Sequence, residues 1–273
     1  MSAAPGSTHT PARQAVQDGD PAGALKLLQG QVRANPEDAQ LRVFLFQLLC
    51  VLGQWDRALT QLTVAGELDG ATLPMVHTYR EVIQCERVRA SVAAGTKVPM
   101  VFGQPQPWLA LLIEGLLHEG RGDMVRAEQL RAQAFDDAPA TSGTADGQAF
   151  DWIADSDTRL GPVLEIIVNG KYYWLPFSRL SRIEFEAPKD LRDLVWTPAQ
   201  FAFANGGEVG GFVPTRYVGS ESADAGYQLA RRTDWLEPAS GHFTGLGQRM
   251  FATNASELAL MNLRVLELDG SEA

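Results

Sequence analysis

Apolar residues in the first half of the chain recur at the spacing of an α-helix. Two stretches follow the i, i+3, i+4, i+7 rule, in which apolar side chains share one helical face. Their apolar positions are Leu41, Phe44, Leu45, Leu48, Leu49 and Leu52, and then Leu109, Leu112, Ile113, Leu116 and Leu117. We predict a helix in each stretch and a further helix from Pro74 to Val92.

The predicted helical part of the sequence also contains internal repeats. The stretch "GDPAGALKLLQGQVRANPED" begins at Gly19, "GQWDRALTQLTVAGELDGAT" begins at Gly53, and a third copy surrounds Gly122. The first two glycines are 34 residues apart, which is the tetratricopeptide period. A glycine suits the left-handed backbone after a helix. The alanine five positions after each glycine lets two helices approach closely. Because "GTKVPMVFGQPQP" interrupts the pattern with three prolines, we predict an irregular helical array.

The pattern changes after the small, polar stretch "APATSGTADGQ" at 138–148, which is typical of a linker or long loop. Asn169-Gly170 separates two apolar runs, which is a strong hairpin signal. "SRLSRIEFE" alternates apolar and polar residues, and "AQFAFANGGEVGGFVPTRYVG" sets a glycine turn between two strand-like runs. "GQRMFAT" and "LRVLELD" are predicted as further short strands.

The fold class predicted is therefore α+β. We expect a tetratricopeptide-like helical domain at residues 1–140, followed by a smaller, mostly antiparallel β domain at residues 150–273.

The stretch "PKDLRDLVW", at 188–196, has the pattern of a structural corner. Asp190 can cap one short helical turn, with Asp193 at the third position of that turn. Trp196 and the two leucines of the stretch then point inward, and Arg192 is free to pair with a nearby acid.

Composition and charge narrow the class of partner. The chain has 273 residues and a formal net charge of −10, with an isoelectric point near 4.9. An acidic surface argues against nucleic acid and against an anionic membrane. We expect no secretory signal in the first residues and no membrane span, and hence a cytoplasmic protein. Cys50 and Cys85 are predicted to be buried, reduced thiols.

Motifs for catalysis, metal binding and nucleotide binding are missing from the sequence. The four histidines, at positions 9, 77, 118 and 242, have no metal-ligand spacing, and there is no nucleophile elbow or phosphate loop. Asp155 and Asp157 could form a general acid and base, but we interpret them as part of a solvated loop. We therefore predict no cofactor and no metal.

Four motifs carry a family resemblance: "KYYWLPFSRL", "APKDLRDLVWTPA", "QLARRTDW" and "GLGQRMF". With them the chain resembles, over most of its length, the ImpE family, also called SciE or TagJ, which accompanies type VI secretion clusters. The resemblance implies a cytoplasmic accessory protein that is not an enzyme. It also implies binding to a helix near the N-terminus of the small sheath subunit TssB, and through it a link to the recycling ATPase ClpV.

The motif residues have two interpretations, as a partner-binding surface or as structural anchors of the β domain. They are Trp174, Phe177, Arg179, Asp190, Arg192, Asp193, Trp196, Arg231, Asp234 and Trp235. An alternative function also stays open at this point. The chain could be an enzyme or a small-ligand-binding protein with a site between the helical and β domains.

Overall fold

A computed structural model of the chain describes residues 10–239 and 241–270. His9 and the rest of the first nine residues, in which we predict no secretory signal, lie outside the described residues. So do the ends of the two predicted domains, at residues 1 and 273.

Helices fill the first half of the described chain, as predicted. They are α1 (Thr10–Gln17), α2 (Pro21–Ala34), α3 (Ala39–Val51), α4 (Trp55–Leu68), α5 (Leu73–Ala93), α6 (Pro107–Gly120) and α7 (Met124–Asp137), and one short helix, α8 (Ala225–Gln228), follows later. Three hairpins, α1–α2, α3–α4 and α6–α7, turn at the repeat glycines. Gly19, Gly53 and Gly122 have φ values of 85°, 64° and 82°, which a residue with a Cβ atom rarely adopts.

The other repeat positions also behave as predicted. The alanines five positions after the turn glycines are fully buried, so the second helix of each pair approaches its neighbour closely: Ala24, Ala58 and Ala127. Aspartates cap two of these second helices and α3. The side chains of Asp20, Asp38 and Asp123 accept hydrogen bonds from N–H groups of the first helical turn.

Most of the second half is β structure. Its strands are β2 (Gly143–Ala145), β3 (Gln148–Phe150), β4 (Ile153–Asp155), β5 (Val163–Val168), β6 (Lys171–Pro176), β7 (Leu180–Phe185), β8 (Trp196–Phe203), β9 (Glu208–Pro214), β10 (Thr233–Ala239), β11 (His242–Gly247), β12 (Met250–Thr253), β13 (Glu257–Ala259) and β14 (Val265–Leu268). A two-residue strand, β1 (Met100–Val101), comes from the proline-rich break in the helices.

Nine strands form one sheet, in the order β1-β6-β5-β9-β8-β7-β14-β2-β3, and the others form a two-stranded and a three-stranded sheet. The pairing of β1 with β6 is parallel. The remaining strand pairs within the described residues are antiparallel. The predicted α+β fold class, with a tetratricopeptide-like array followed by a mostly antiparallel β part, is therefore confirmed.

The predicted hairpin at Asn169-Gly170 is confirmed by its backbone. These two residues join β5 to β6 and have φ values of 50° and 69°. Positive φ at both central residues is the signature of a type I′ turn, whose twist matches that of the flanking strands.

The prediction of a linker at 138–148 was wrong for its second part. Residues 143–150 form the hairpin β2–β3 around Asp146 and Gly147, and β2 pairs with β14. This stretch has almost no apolar alternation, so its strands depend on hydrogen bonds to a strand more than 100 residues away. The division into domains at residues 140 and 150 stays a prediction.

The hydrophobic core has two parts. One lies between the helices and the sheet, and the other lies on the opposite face of β5. Side chains of β5 alternate between the two parts: Val163 and Ile167 pack with the helices, and Leu164 and Ile166 pack with β7, β12 and β14. A strand buried on both faces reads as a continuous apolar run, which accounts for the sequence of β5.

Two smaller predictions concern the thiols and the membrane. Cys50 and Cys85 are both free and buried, as predicted. Burial raises the pKa of Cys85 to about 12, which keeps its thiol protonated. Across the described residues, every helix is too short or too polar to cross a bilayer.

Candidate functional site

The corner at 188–196 has the predicted capping box. Residues Leu191–Leu194 form one 3-10 turn, and the Asp190 side chain accepts a hydrogen bond from the Arg192 N–H at 3.3 Å. In return, Asp193 Oδ2 accepts hydrogen bonds from the N–H groups of Lys189 and Asp190, at 2.7 and 3.1 Å. The two aspartates therefore satisfy the donors at the start of this turn.

Arg192 and Trp196 connect the corner to the helices. The Arg192 guanidinium lies 2.9 Å from Asp190 and 4.8 Å from the ring centroid of Tyr79 on α5. Trp196 is fully buried, and its indole N–H donates to Glu86 Oε1 of α5 at 2.8 Å. Both predictions for these side chains, an acid partner for the arginine and a buried position for the tryptophan, are confirmed.

An open groove of about 620 Å³ runs between the corner and the helices α1, α3 and α5. We call it the repeat groove. Apolar side chains and Pro188 line it together with polar residues: Val16, Val43, Phe44, Met75, Leu191 and Leu194, and then Arg13, Gln17, Gln40, Gln47, Lys189, Asp190 and Arg192. The two leucines of the corner are half-buried, so they contact the shared core and also face this groove. The corner is thus a structural element that supplies one wall of a surface cleft.

Behind the corner lies a cluster of buried charges, which we call the ionic cluster: Arg89, Asp155, Glu165 and Arg249. Glu165 of β5 is at its centre and accepts hydrogen bonds from Arg89 Nε and Nη2 at 3.1 and 3.0 Å. Arg249 donates to both Glu165 and Asp155. At most 4% of each of these residues is exposed. The cluster joins α5 of the helical half to β4, β5 and the turn before β12 of the β half.

The two carboxyl groups of the cluster respond oppositely to burial. Burial alone would raise the pKa of Glu165, but the charges of Arg89 and Arg249 outweigh it and lower the pKa to about 2. For Asp155 burial dominates over the charge of Arg249, and the pKa rises to about 6. Glu165 therefore stays ionised over the whole physiological range, whereas Asp155 takes up a proton in mild acid.

The interpretation of Asp155 and Asp157 as a solvated loop was wrong. Both are buried. Asp155 accepts from Tyr217 and Arg249, and Asp157 accepts from Arg159 Nε at 2.9 Å. Most of these partners lie in distant strands and turns, so local sequence gives no signal for the burial. Because each carboxylate is paired with an arginine, the arrangement is that of a structural ionic network.

A small cavity adjoins the ionic cluster, between α5, α6 and the sheet. Its polar lining comes from Arg89, Asp157, Arg159, Glu165 and Tyr172, and its volume is about 20 Å³. A cavity of that size has room for about one water molecule. This cavity is too small for a substrate, whereas the repeat groove, which also lies between helices and the corner, is larger and open.

Two arginines of the β half contact equivalent positions of successive repeats. Arg231 donates to the carbonyls of Val16 and Gln17, which end α1, at 2.8 and 2.9 Å. Arg216 donates to the carbonyls of Cys50 and Val51, which end α3, at 3.4 and 2.8 Å. These carbonyl pairs are 34 residues apart, the repeat period. Each helix therefore gains a cation at its negative end.

Arg216 is a residue that sequence reasoning missed. It is buried, and burial lowers its pKa to about 10 against the opposing charges of Glu221 and Glu86. It stays charged at neutral pH, and backbone carbonyls satisfy it instead of a carboxylate. The repeat period relates the carbonyls that Arg216 and Arg231 contact. The sequence does not show that these two arginines lie at the helix ends, so Arg216 could not be recognised from it.

Three of the remaining motif residues lie in or near the sheet. Trp174 is buried and donates to the Tyr172 hydroxyl at 2.8 Å, next to the ionic cluster. Phe177 is buried against Phe251. Arg179 donates to the Gln104 carbonyl at 2.6 Å. Asp193, described above, is also buried.

Two residues of the third motif, Asp234 and Trp235, lie apart from the repeat groove, whereas Arg231 of the same motif contacts Val16 and Gln17, which line it. Asp234 of β10 accepts from the Tyr227 hydroxyl, and the half-exposed Trp235 packs 5.7 Å from Tyr217 between ring centroids. The structure therefore brings Asp190, Arg192, Asp193 and Trp196 together at the corner, places Arg231 against the α1 residues of the groove, and leaves the other five motif residues elsewhere. In the part of the chain that the structure describes, no group of three or more His, Cys, Asp or Glu side chains could coordinate a metal.

Comparisons with known proteins agree with this architecture. A family model described as ImpE protein matches residues 147–267, and a tetratricopeptide repeat model matches residues 15–78. The type VI secretion system accessory component TagJ of Pseudomonas aeruginosa is 51% identical over 251 residues, covering 92% of this chain and 88% of that protein. The crystal structure of a Vibrio parahaemolyticus protein matches with a TM-score of 0.87 and 27% identity, covering 96% of this chain and 98% of that one.

Proposed function

We propose, since the chain belongs to the ImpE family of type VI secretion accessory components, that it is a non-catalytic adaptor. In this proposal it binds a helix of the sheath subunit TssB in the repeat groove and so links the sheath to the ClpV ATPase. It acts in the cytoplasm, without cofactor or nucleic acid.

The observation that carries the proposal is the apolar lining of the repeat groove. Val43, Met75, Leu191 and Leu194 are half-buried, so they still offer apolar surface to a partner. An amphipathic helix places side chains at i, i+3, i+4 and i+7 into such a groove and leaves its polar face in water. The polar rim would surround these contacts and exclude water from them.

The alternative, an enzyme site between the two halves, has weaker support. The carboxylates there are paired with arginines, and the cavity beside them has room for about one water molecule. The repeat groove is open and has a volume of about 620 Å³. The accessory family and the repeat fold also favour a role in protein binding.

A direct test is a substitution inside the groove. Val43→Glu places a charge among apolar side chains of the groove without opening the core, since Val43 is half-buried. We expect it to weaken binding of an N-terminal TssB peptide by at least tenfold, because burying an unpaired carboxylate costs more than about 1.4 kcal/mol. Isothermal titration calorimetry measures the affinity, and thermal unfolding checks that the fold is intact.

The matched control is Leu27→Glu, the same kind of change at an exposed position of α2 outside the groove. It should leave the affinity unchanged. Equal affinities for Val43→Glu and the wild type would remove the repeat groove as the binding site. Failure of the wild-type protein to bind the peptide would reject the TssB proposal itself.

A further inference from the structure

The rim of the repeat groove has the opposite charge to the rest of the chain. Three basic side chains line it, Arg13, Lys189 and Arg192, against a single acid, Asp190. The chain as a whole has a formal net charge of −10. The groove could bind the apolar face of a helix without these basic residues, so their presence on an acidic protein needs a separate explanation.

The basic side chains differ in how far they are already neutralised. Arg192 is paired with Asp190, so this pair adds little net charge to the corner. Lys189 contacts Glu186 in an exposed ion pair, which contributes only about 0–1 kcal/mol and exchanges readily with water or a partner.

Arg13 has no carboxylate contact among the described residues, and its guanidinium lies 5.5 Å from the ring centroid of Phe44, a groove residue. The charge of Arg13 is therefore directed over the apolar lining. The two positions whose charge stays available, Arg13 on α1 and Lys189 on the corner, come from different walls of the groove.

We propose that the repeat groove selects an amphipathic helix whose apolar stripe is flanked by aspartate or glutamate residues. Such a helix would place its apolar side chains on Val43 and Met75. Its flanking carboxylates would then meet Arg13 and Lys189. This inference rests on the proposed function, because it specifies the partner chemistry of the same groove. Charge complementarity of this kind raises the association rate and suppresses wrong partners.

The test reverses the two available rim charges in the full-length protein. We expect Arg13→Glu/Lys189→Glu to weaken binding of the N-terminal TssB peptide roughly tenfold at low salt, since each exposed pair contributes up to about a factor of five. The loss should shrink in high salt, because the Debye length falls to about 3 Å at 1 M. The matched control is Lys26→Glu/Lys97→Glu, which makes the same change in net charge at two exposed positions outside the groove.

A second peptide tests whether the rim charges act by pairing with carboxylates of the peptide. Replacing every Asp and Glu of the peptide by Asn and Gln should weaken its binding to the wild-type protein roughly tenfold and make it indifferent to the rim reversal. Unchanged or tighter binding of the original peptide to the reversed protein, with Val43→Glu still weakening binding at least tenfold, would overturn the charge selection and leave the groove proposal intact. A wild-type protein that binds neither peptide would overturn both.

Discussion

The ionic cluster and the repeat groove use the same residue types in opposite ways. In the cluster, Arg89 and Arg249 are buried and neutralised by Glu165 and Asp155. In the groove, Arg192 and its partner acid are partly exposed and keep contact with solvent. In the sequence, the residues of both regions are simply arginines and acids. Burial alone separates a structural network from a surface that can bind a partner.

The comparison also assigns different energies to the two regions. An exposed or half-exposed ion pair contributes about 0–1 kcal/mol, whereas removing one member of a buried pair costs about 3–5 kcal/mol. Substitutions in the cluster should therefore act on folding, and substitutions in the groove should act on binding. The predictions below test this division, from the largest expected effect to the smallest.

Glu165→Gln should produce the largest loss of stability. It removes the carboxylate that Arg89 and Arg249 share, so each buried guanidinium keeps only its second acid, Glu86 or Asp155. We expect a loss of about 5 kcal/mol in the free energy of unfolding, at the upper end for a broken buried pair. Urea denaturation measures it. A loss below about 1 kcal/mol would mean that water reaches the cluster and that its burial does not separate it from the groove.

Trp196→Ala should come next, with a loss of about 3–5 kcal/mol. Trp196 is fully buried, packs 5.9 Å from Trp55 and 5.7 Å from Tyr79 between ring centroids, and bonds to Glu86. We expect a sharply lower melting temperature and loss of partner binding only as a consequence. A variant that keeps its melting temperature and fails to bind the TssB peptide would assign Trp196 to the binding surface.

Local signals made the fold largely predictable. The repeat glycines, the Asn169-Gly170 turn and the Asp190 capping box each depend on a backbone conformation or hydrogen bond within a few residues. The capping box of the corner was therefore predicted correctly from nine residues.

The ionic cluster could not be predicted in this way. Arg89 and Arg249 are 76 and 84 residues from Glu165. The local sequence around each residue does not indicate which distant charges are buried together. For the same reason Asp155 was wrongly interpreted as solvated. The repeat groove was partly predictable. Its helices and the corner were each predicted from sequence, but the sequence does not show that they lie next to each other.

Acid should weaken the cluster through Glu165, with the opposite trend from Asp155. The folded pKa of Glu165 is lowered from 4.5 to about 2, so its contribution is present above pH 4.5 and is lost as pH falls toward 2. That shift corresponds to about 3 kcal/mol. The folded pKa of Asp155 is raised from 3.8 to about 6, so Asp155 binds a proton more tightly in the folded protein, and stability falls as pH rises from 3.8 to 6.

Urea denaturation between pH 3 and pH 7 can separate the two contributions. Asp155→Asn should remove the gain in stability that the wild type shows as pH falls from 6 to about 4.5, and should keep the loss below 4.5. Identical pH profiles for the variant and the wild type would show that Asp155 does not titrate in this range.

Arg192→Ala should have the smallest effect on stability. This small effect is what we expect for a residue of the groove, in contrast to the residues of the ionic cluster. The Arg192 side chain is 24% exposed, and it contacts the Asp190 carboxylate and the Tyr79 ring. A partly solvated ion pair and a cation–π contact together contribute about 1 kcal/mol. The capping box does not use the Arg192 side chain, since Asp190 accepts from a backbone N–H. Thermal unfolding should therefore show a small decrease in melting temperature, whereas a loss comparable to that of Trp196→Ala would place Arg192 with the buried cluster instead of the groove.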